Sequence, residues 1–407
     1  DGNISLRGSP NVQILIDGRP SGMAGASQNA FLEQIPASSI DRVEVITNPS
    51  AKYDPDGMAG ILNIILKKNK LEGFHGQAQT TPGTGGNYNA SLSLNYKSEK
   101  FSFFSNGSWN QRDQFSTGIT DRIFDAGDST STLNQIRDGN RLRESLGGKV
   151  GVEWYPSPAE VVSISANFNE NNSERIDSLG NLETWNSGYA THTQRHSSNY
   201  GQGIGWDLDG NYRKEFGGNP AHFIRAMIRH SQSESSDDSY IQESLVGEGS
   251  TIILDTNLQE NFNTRTVAQI DFEKPLRDDG KLEWGWKSNL SEKRNEYTYL
   301  TPDSSFWTNG LYVPINPVSD GYSFTYREAV HAIYGTFGRK IGVWGVQGGL
   351  RLEQVYTEAL LDGSAPFEND YFSVYPSFNL SKQRNDEVSW IGSYSRRVNR
   401  PRGRQVS

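Results

Sequence analysis

The chain has 407 residues, of which 34% are hydrophobic, 11% aromatic and 21% charged, with 42 glycines, no cysteine and a net charge of −9. An acidic balance is the wrong sign for non-specific nucleic-acid binding, and the lack of cysteine excludes disulfides and thiolate metal sites. So few apolar residues beside so much glycine and aromatic content suit strands whose two faces meet different solvents better than one packed core.

Asp1 opens the chain with no signal-peptide pattern, and Ser407 reads as the middle of a loop, so the expectation is a fragment of a longer protein. Residues 1–70 hold compact β-branched runs: Val12, Ile14, Leu15 and Ile16; Val43, Val45 and Ile46; Ile61, Leu62, Ile64, Ile65 and Leu66. Turn chemistry bounds them at 17–20, 48–49 and 54–57. Between the first two runs, Phe31, Leu32, Ile35 and the segment 36–40 predict one or two short helices, with Ser38 or Ser39 as a cap. This is a small α+β unit with buried strands.

From Gly73 onward the pattern changes to alternation in segments of roughly 8–14 residues. Ala90, Leu92, Leu94 and Tyr96 interleave with Ser91, Ser93 and Asn95; Val162, Ile164, Ala166 and Phe168 with Ser163, Ser165 and Asn167; Leu282, Trp284 and Trp286 with Glu283 and Lys287. Alternate residues of a strand point to opposite faces, so one face is apolar and the other hydrated. In a soluble sandwich the apolar face would meet a second sheet; in a membrane barrel it meets lipid. Two features favour the barrel. Trp154-Tyr155, Trp185, Tyr212, Trp344 and Tyr371-Phe372 fall near segment ends, as an interfacial girdle requires. Tight turns at 97–100, 156–159, 216–219 and 382–387 alternate with long polar stretches at 125–140, 231–258 and 300–323, which predict outer loops. Roughly 13–15 strands are expected after residue 73.

Residues 5–18, SLRGSPNVQILIDG, and residues 35–66, IPASSIDRVEVITNPSAKYDPDGMAGILNIIL, resemble the plug signature of TonB-dependent outer-membrane receptors. Gly349-Leu350-Arg351-Leu352-Glu353 and the segment 394–401 resemble barrel segments of the same family more loosely. The resemblance implies a mainly β chain: the C-terminal part of a plug domain over 1–70, then the N-terminal part of an antiparallel transmembrane β-barrel over 71–407. In the family the plug sits inside a barrel of about 22 strands. The TonB box, the first plug strands and the last barrel strands would then lie outside this chain.

The resemblance also implies plug–barrel charge contacts. They are placed at Arg7, Arg42 and Glu44 on the plug and at Arg351 and Glu353 on the barrel. Gly18, Gly57 and Gly60 are assigned to plug turns needing positive φ or close packing. Tyr240, Tyr297, Tyr299, Trp307, Tyr312 and Tyr322 are candidate ligand-contacting residues of the outer loops, with interface anchoring as the alternative.

Other constellations are bland. His192 and His196 share four-residue spacing, but no Glu stands in the metalloprotease position and no helix is expected there. Gly201, Gly203 and Gly205 place small residues on one strand face. No catalytic constellation, cofactor motif or metal-ligand set stands out. The expected function is TonB-dependent import of a scarce or large nutrient, a siderophore, glycan or peptide, by energised plug rearrangement. A structural or adhesive barrel without transport is the alternative. The expected partners are the TonB energy-transducing complex, outer-membrane lipid, the nutrient itself and, as a further possibility, a surface lipoprotein. The acidic polar stretches weigh slightly against an anionic siderophore.

Overall fold

The computed structural model describes residues 12–16, 19–20, 40–46, 51–55, 60–66, 72–125, 127, 129–247, 251–277, 280–302, 307–308, 311–312, 317–383 and 389–398. Two sheets carry the fold. The first is four-stranded, with β1 (Val12–Ile16), β2 (Arg19–Pro20), β3 (Ile40–Ile46) and β4 (Gly60–Leu66) in the order β2-β1-β4-β3. β1 runs parallel to β4 and β3 antiparallel to it. Consecutive residues of a strand face opposite ways, yet Ile14 and Leu15 are both buried. A strand covered on both sides is what its unbroken apolar run encodes. The helices expected over 31–39 fall outside the described residues, and Ile40, expected at a helix end, opens β3 instead.

The second sheet is a meander of 13 antiparallel strands. They are β5 (Gly73–Pro82), β6 (Tyr88–Lys97), β7 (Phe101–Asp125), β8 (Thr130–Ser157), β9 (Glu160–Trp185), β10 (Ala190–Phe216), β11 (Asn219–Leu245), β12 (Thr251–Leu276) and β13 (Gly280–Pro302). After a small hairpin of β14 (Trp307–Thr308) and β15 (Leu311–Tyr312) come β16 (Pro317–Ile341), β17 (Trp344–Leu361), β18 (Phe367–Gln383) and β19 (Ser389–Ser395).

Two adjacent rows of paired residues define its faces, because residues directly opposite share a face. One row runs Trp154, Val162, Tyr212, Ala226, Ile270, Trp286, Ile333 and Leu352. The next runs Glu153, Ser163, Asn211, Met227, Gln269, Lys287, Ala332 and Glu353. The first row presents Trp154, Ile270, Trp286 and Ile333 as exposed large hydrophobics, whereas Lys287 and Glu353 in the second are buried. A soluble sheet would bury the apolar row. Here it is turned outward, and the polar row faces the first sheet.

The strands are much longer than the alternating segments predicted. β8 has 28 residues and β10 and β11 have 27 each, against the 9–11 or so that cross a bilayer. The expected loops 125–140 and 231–258 are largely strand. Beyond the hydrocarbon both faces of a strand are wet, so the period-two signal fades while backbone pairing continues. The tight turns are as expected where Gly217 and Gly218, at φ of 63° and 67°, join β10 to β11, the two-residue hairpin that favours positive φ at both positions. Within the girdle pairs, Trp154 is exposed on the outward face while Tyr155, one residue on, bonds Glu153 on the inward one.

Candidate functional site

Residues 51–55, Ala-Lys-Tyr-Asp-Pro, lie between β3 and β4 and press against the inward face of β12, β13 and β17. Asp54 is the centre of the contact. Its Oδ2 accepts a hydrogen bond from Lys287 Nζ at 2.6 Å, and its Oδ1 accepts from Arg351 Nη2 at 2.8 Å. Lys287 is on β13 and Arg351 on β17, so one carboxylate spans the curved wall. Arg351 also donates from Nε to Glu353 Oε1 at 2.6 Å and lies over the Tyr334 ring, 5.5 Å from its centroid. Lys52 forms an ion pair with Asp271 Oδ2 at 3.6 Å, on β12. Asp271 in turn accepts from the Tyr334 hydroxyl and from Gln269.

The wall charges are deep: Arg351 is 1% exposed, Glu353 0% and Lys287 4%. Buried charges persist only when paired and hydrogen-bonded, and this network supplies the pairing. Burial pushes the Asp54 carboxyl up, but Lys287 and then Arg351 outweigh that and hold it well below the usual carboxylate range. Burial, then the nearby Glu283 and Asp271, pushes the Tyr53 hydroxyl up.

Backbone approach is also close. The Pro55 carbonyl accepts from the Val398 amide at 3.2 Å, just past β19. A Cβ at Gly349 would meet Ala51 Cβ at 3.1 Å, Thr336 Oγ1 at 3.1 Å and Ser377 Oγ at 2.7 Å. Glycine at 349 therefore lets the inner segment seat against β17.

Of the predicted contact residues, Arg351 and Glu353 stand in this network. Arg42 and Glu44 do not reach the wall. Arg42 pairs with Asp41 at 2.9 Å and with Glu44 at 2.8 Å on its own strand, with 59% of its side chain exposed, and Glu44 accepts from Asn63 of β4. The reason is position: β3 is the edge strand of the small sheet, and these charges are satisfied by neighbours within that sheet. Arg7, Gly18 and Gly57 lie outside the described residues. Gly60 makes no turn; it is a buried first residue of β4, paired with Val12. Asp54, Lys287, Lys52 and Asp271 were not singled out beforehand. Asp54 looked like an ordinary turn residue, and only chain reversal through the wall brings Lys287 to it.

The aromatic candidates divide. Tyr297 and Tyr322 meet on the inward face with centroids 5.6 Å apart and rings tilted by 34°, and the Tyr299 hydroxyl donates to Asp255 at 2.9 Å. Tyr240 has the outward parity of β11 and meets Tyr200 edge-on at 6.2 Å, so it is not a lumen contact. Trp307 and Tyr312 pair through their backbones; their side chains lie outside the described residues. His192 and His196 sit on β10, and no group of metal-binding side chains occurs among the described residues.

Comparison with known proteins follows the same division of the chain. Residues 1–61 match the TonB-dependent receptor plug domain, and residues 214–407 match the outer membrane protein beta-barrel family. The siderophore receptor PiuA from Acinetobacter baumannii superposes with a TM-score of 0.54 at 11% identity, over 94% of this chain and 56% of that one. The chain thus spans about half the length of that receptor, and the likeness is one of fold. The ferric yersiniabactin uptake receptor FyuA from Yersinia pestis matches over 97% of this chain and 78% of its own, at 9% identity and a TM-score of 0.34. A mutant of the ferric enterobactin receptor PfeA from Pseudomonas aeruginosa matches over 95% and 85%, at 10% identity and a TM-score of 0.33. Both superpose too loosely to bear on the fold. With a receptor plug at its start and an outer-membrane β-barrel after it, the chain belongs to the TonB-dependent receptors of the Gram-negative outer membrane.

Proposed function

We propose that the protein imports a scarce or large nutrient across the outer membrane, with the N-terminal unit, residues 1–70, as a stopper and residues 71–407 as part of its enclosing wall. The nutrient binds at the outer mouth, and TonB-transmitted energy rearranges the stopper to open a path. The observation that carries this reading is Asp54 held between Lys287 and Arg351. A purely adhesive barrel has no use for a separate small sheet fastened to its inner wall by charge. Such a fastening is strong enough to close a pore, yet lies in a partly wet lumen where water can replace each bond as it breaks. The ligand class supported by family likeness is a siderophore, with glycans and peptides as the other nutrients such a pore would admit. The test is uptake by cells expressing the full-length gene, with and without TonB. Uptake of a nutrient pool that disappears with TonB is expected; growth support indifferent to TonB would overturn the transport reading in favour of a structural role.

A further inference from the structure

We propose that the inner wall of β7–β9, above the lipid-facing band, binds a small polyanionic ligand through paired arginines. This rests on the transport reading and names the chemical class of its cargo. Arg112 lies directly opposite Arg143 across β7 and β8. Arg141 lies directly opposite Arg175 across β8 and β9. Arg141 and Arg143 are two apart on one strand, so all four share a face. Their parity is that of Glu153 and Ser163, the row that continues to Lys287 and Glu353 around the wall; the arginines therefore point inward. On the outward face of β8 the apolar run through Trp154, Val152, Val150 and Leu146 is interrupted at Glu144, with only Leu142 and Ile136 as apolar residues beyond it. The arginines start at that level, on the side of the long strand extensions, the outer side in barrels of this kind.

Like charges directly opposite on a sheet destabilise it. Arg143 and Arg175 have interactions of their own in the empty protein, so the cost falls on Arg112 and Arg141. The carboxylate nearest on this wall, Asp177, is already engaged by Arg137 at 2.8 Å and by Arg175 at 2.6 Å. Neither Arg112 nor Arg141 meets a carboxylate among the described residues, and Arg141 Nε is buried with no hydrogen-bond partner. In the acidic stretch of β11, which weighed against an anionic cargo, Glu234 and Asp238 have the outward parity, while Asp237 faces inward, in line with Arg143 across Gly201 and Ser173. What fits is a solute with several anionic oxygens. Guanidinium forks bind carboxylate, phosphate and similar groups bidentately, and two pairs side by side select at least two such groups over one.

The test uses the full-length receptor in detergent micelles, as wild type, as Arg112→Gln with Arg141→Gln, and as Arg112→Gln alone should the double change fail to fold. Binding and thermal unfolding are followed with myo-inositol hexakisphosphate and with citrate, against myo-inositol and sodium chloride at matched ionic strength. The polyanions are expected to bind and raise the wild-type Tm. The double variant is expected to unfold no earlier than wild type without ligand and to bind at least about tenfold more weakly. A wild type that ignores both polyanions, or a variant that binds them unchanged, overturns the proposal. TonB-dependent uptake without any polyanion response would sink this inference alone. Polyanion binding beside TonB-independent uptake would sink the transport reading alone.

Discussion

Asp54 and Arg351 are 297 positions apart and share a 2.8 Å hydrogen bond. With Lys287 as the second donor to the same carboxylate, that bond ties the inner sheet to two strands of the wall. Removing the acid leaves two deeply buried cations facing each other. Breaking a fully buried pair costs about 3–5 kcal/mol; Asp54 keeps 22% of its side-chain exposure, so about 2–3 kcal/mol is expected here. Asp54→Asn should loosen the stopper and raise passage of bulky antibiotics or ion conductance through the full-length protein in a planar bilayer. Conductance equal to wild type would remove Asp54 from the closure.

Arg42→Ala should do little. Arg42 is an exposed side chain paired with Asp41 and Glu44 of its own strand, and exposed pairs contribute about 0–1 kcal/mol. The same conductance assay is expected to return wild-type closure. A leak as large as that of Asp54→Asn would put Arg42 on the wall after all.

The contrast between these two residues shows what the sequence made legible. Alternation along β8–β17 was plain, because lipid on one side and water on the other impose a period of two. Arg351 and Glu353 are reached through the resemblance of their segment to barrel strands of the family, not through any signal of their own. Asp54 is not reached, because its chemistry is that of any turn and its partners are set by how the wall curves. Strand length was equally hidden: once a strand leaves the bilayer, nothing distinguishes paired polar residues from a polar loop.

The pH dependence of closure follows from the Asp54 carboxyl, which its two cations hold below its ordinary value of 3.8. A depressed acid contributes its full stabilisation above the unfolded value and loses it only as pH falls through the folded one. Leak should therefore stay flat from neutrality down to about pH 5 and rise only in strong acid. Asp54→Asn should lack the acid rise. A wild-type transition near neutrality would show that another group governs the lock.

Seating also depends on Gly349. A Cβ there would meet Ala51 Cβ at 3.1 Å, and a valine would add two further methyls. Gly349→Val should open the stopper and also make the barrel unfold earlier, because its Cβ meets Ser377 Oγ at 2.7 Å and Thr336 Oγ1 at 3.1 Å on the wall. Gly348→Ala, one residue away where a Cβ would meet nothing within 4 Å, should be silent in both measurements. Equal leak from the two variants would mean that the inner segment does not rest on β17.

The faces of β11 give the last test, on neighbouring residues with opposite surroundings. Ile228 is outward and 56% exposed, between Gly210 and Ala268; Met227 is inward, between Asn211 and Gln269. An arginine at a lipid-facing position near the membrane midplane costs about 2–4 kcal/mol, whereas a polar side chain on the wet face has partners at once. Ile228→Arg should lower the urea midpoint of the folded, heat-modifiable form in lipid, and Met227→Gln should leave it near wild type. The reverse order would mean that the apolar rows face inward, and the wall would then not be one that lipid surrounds.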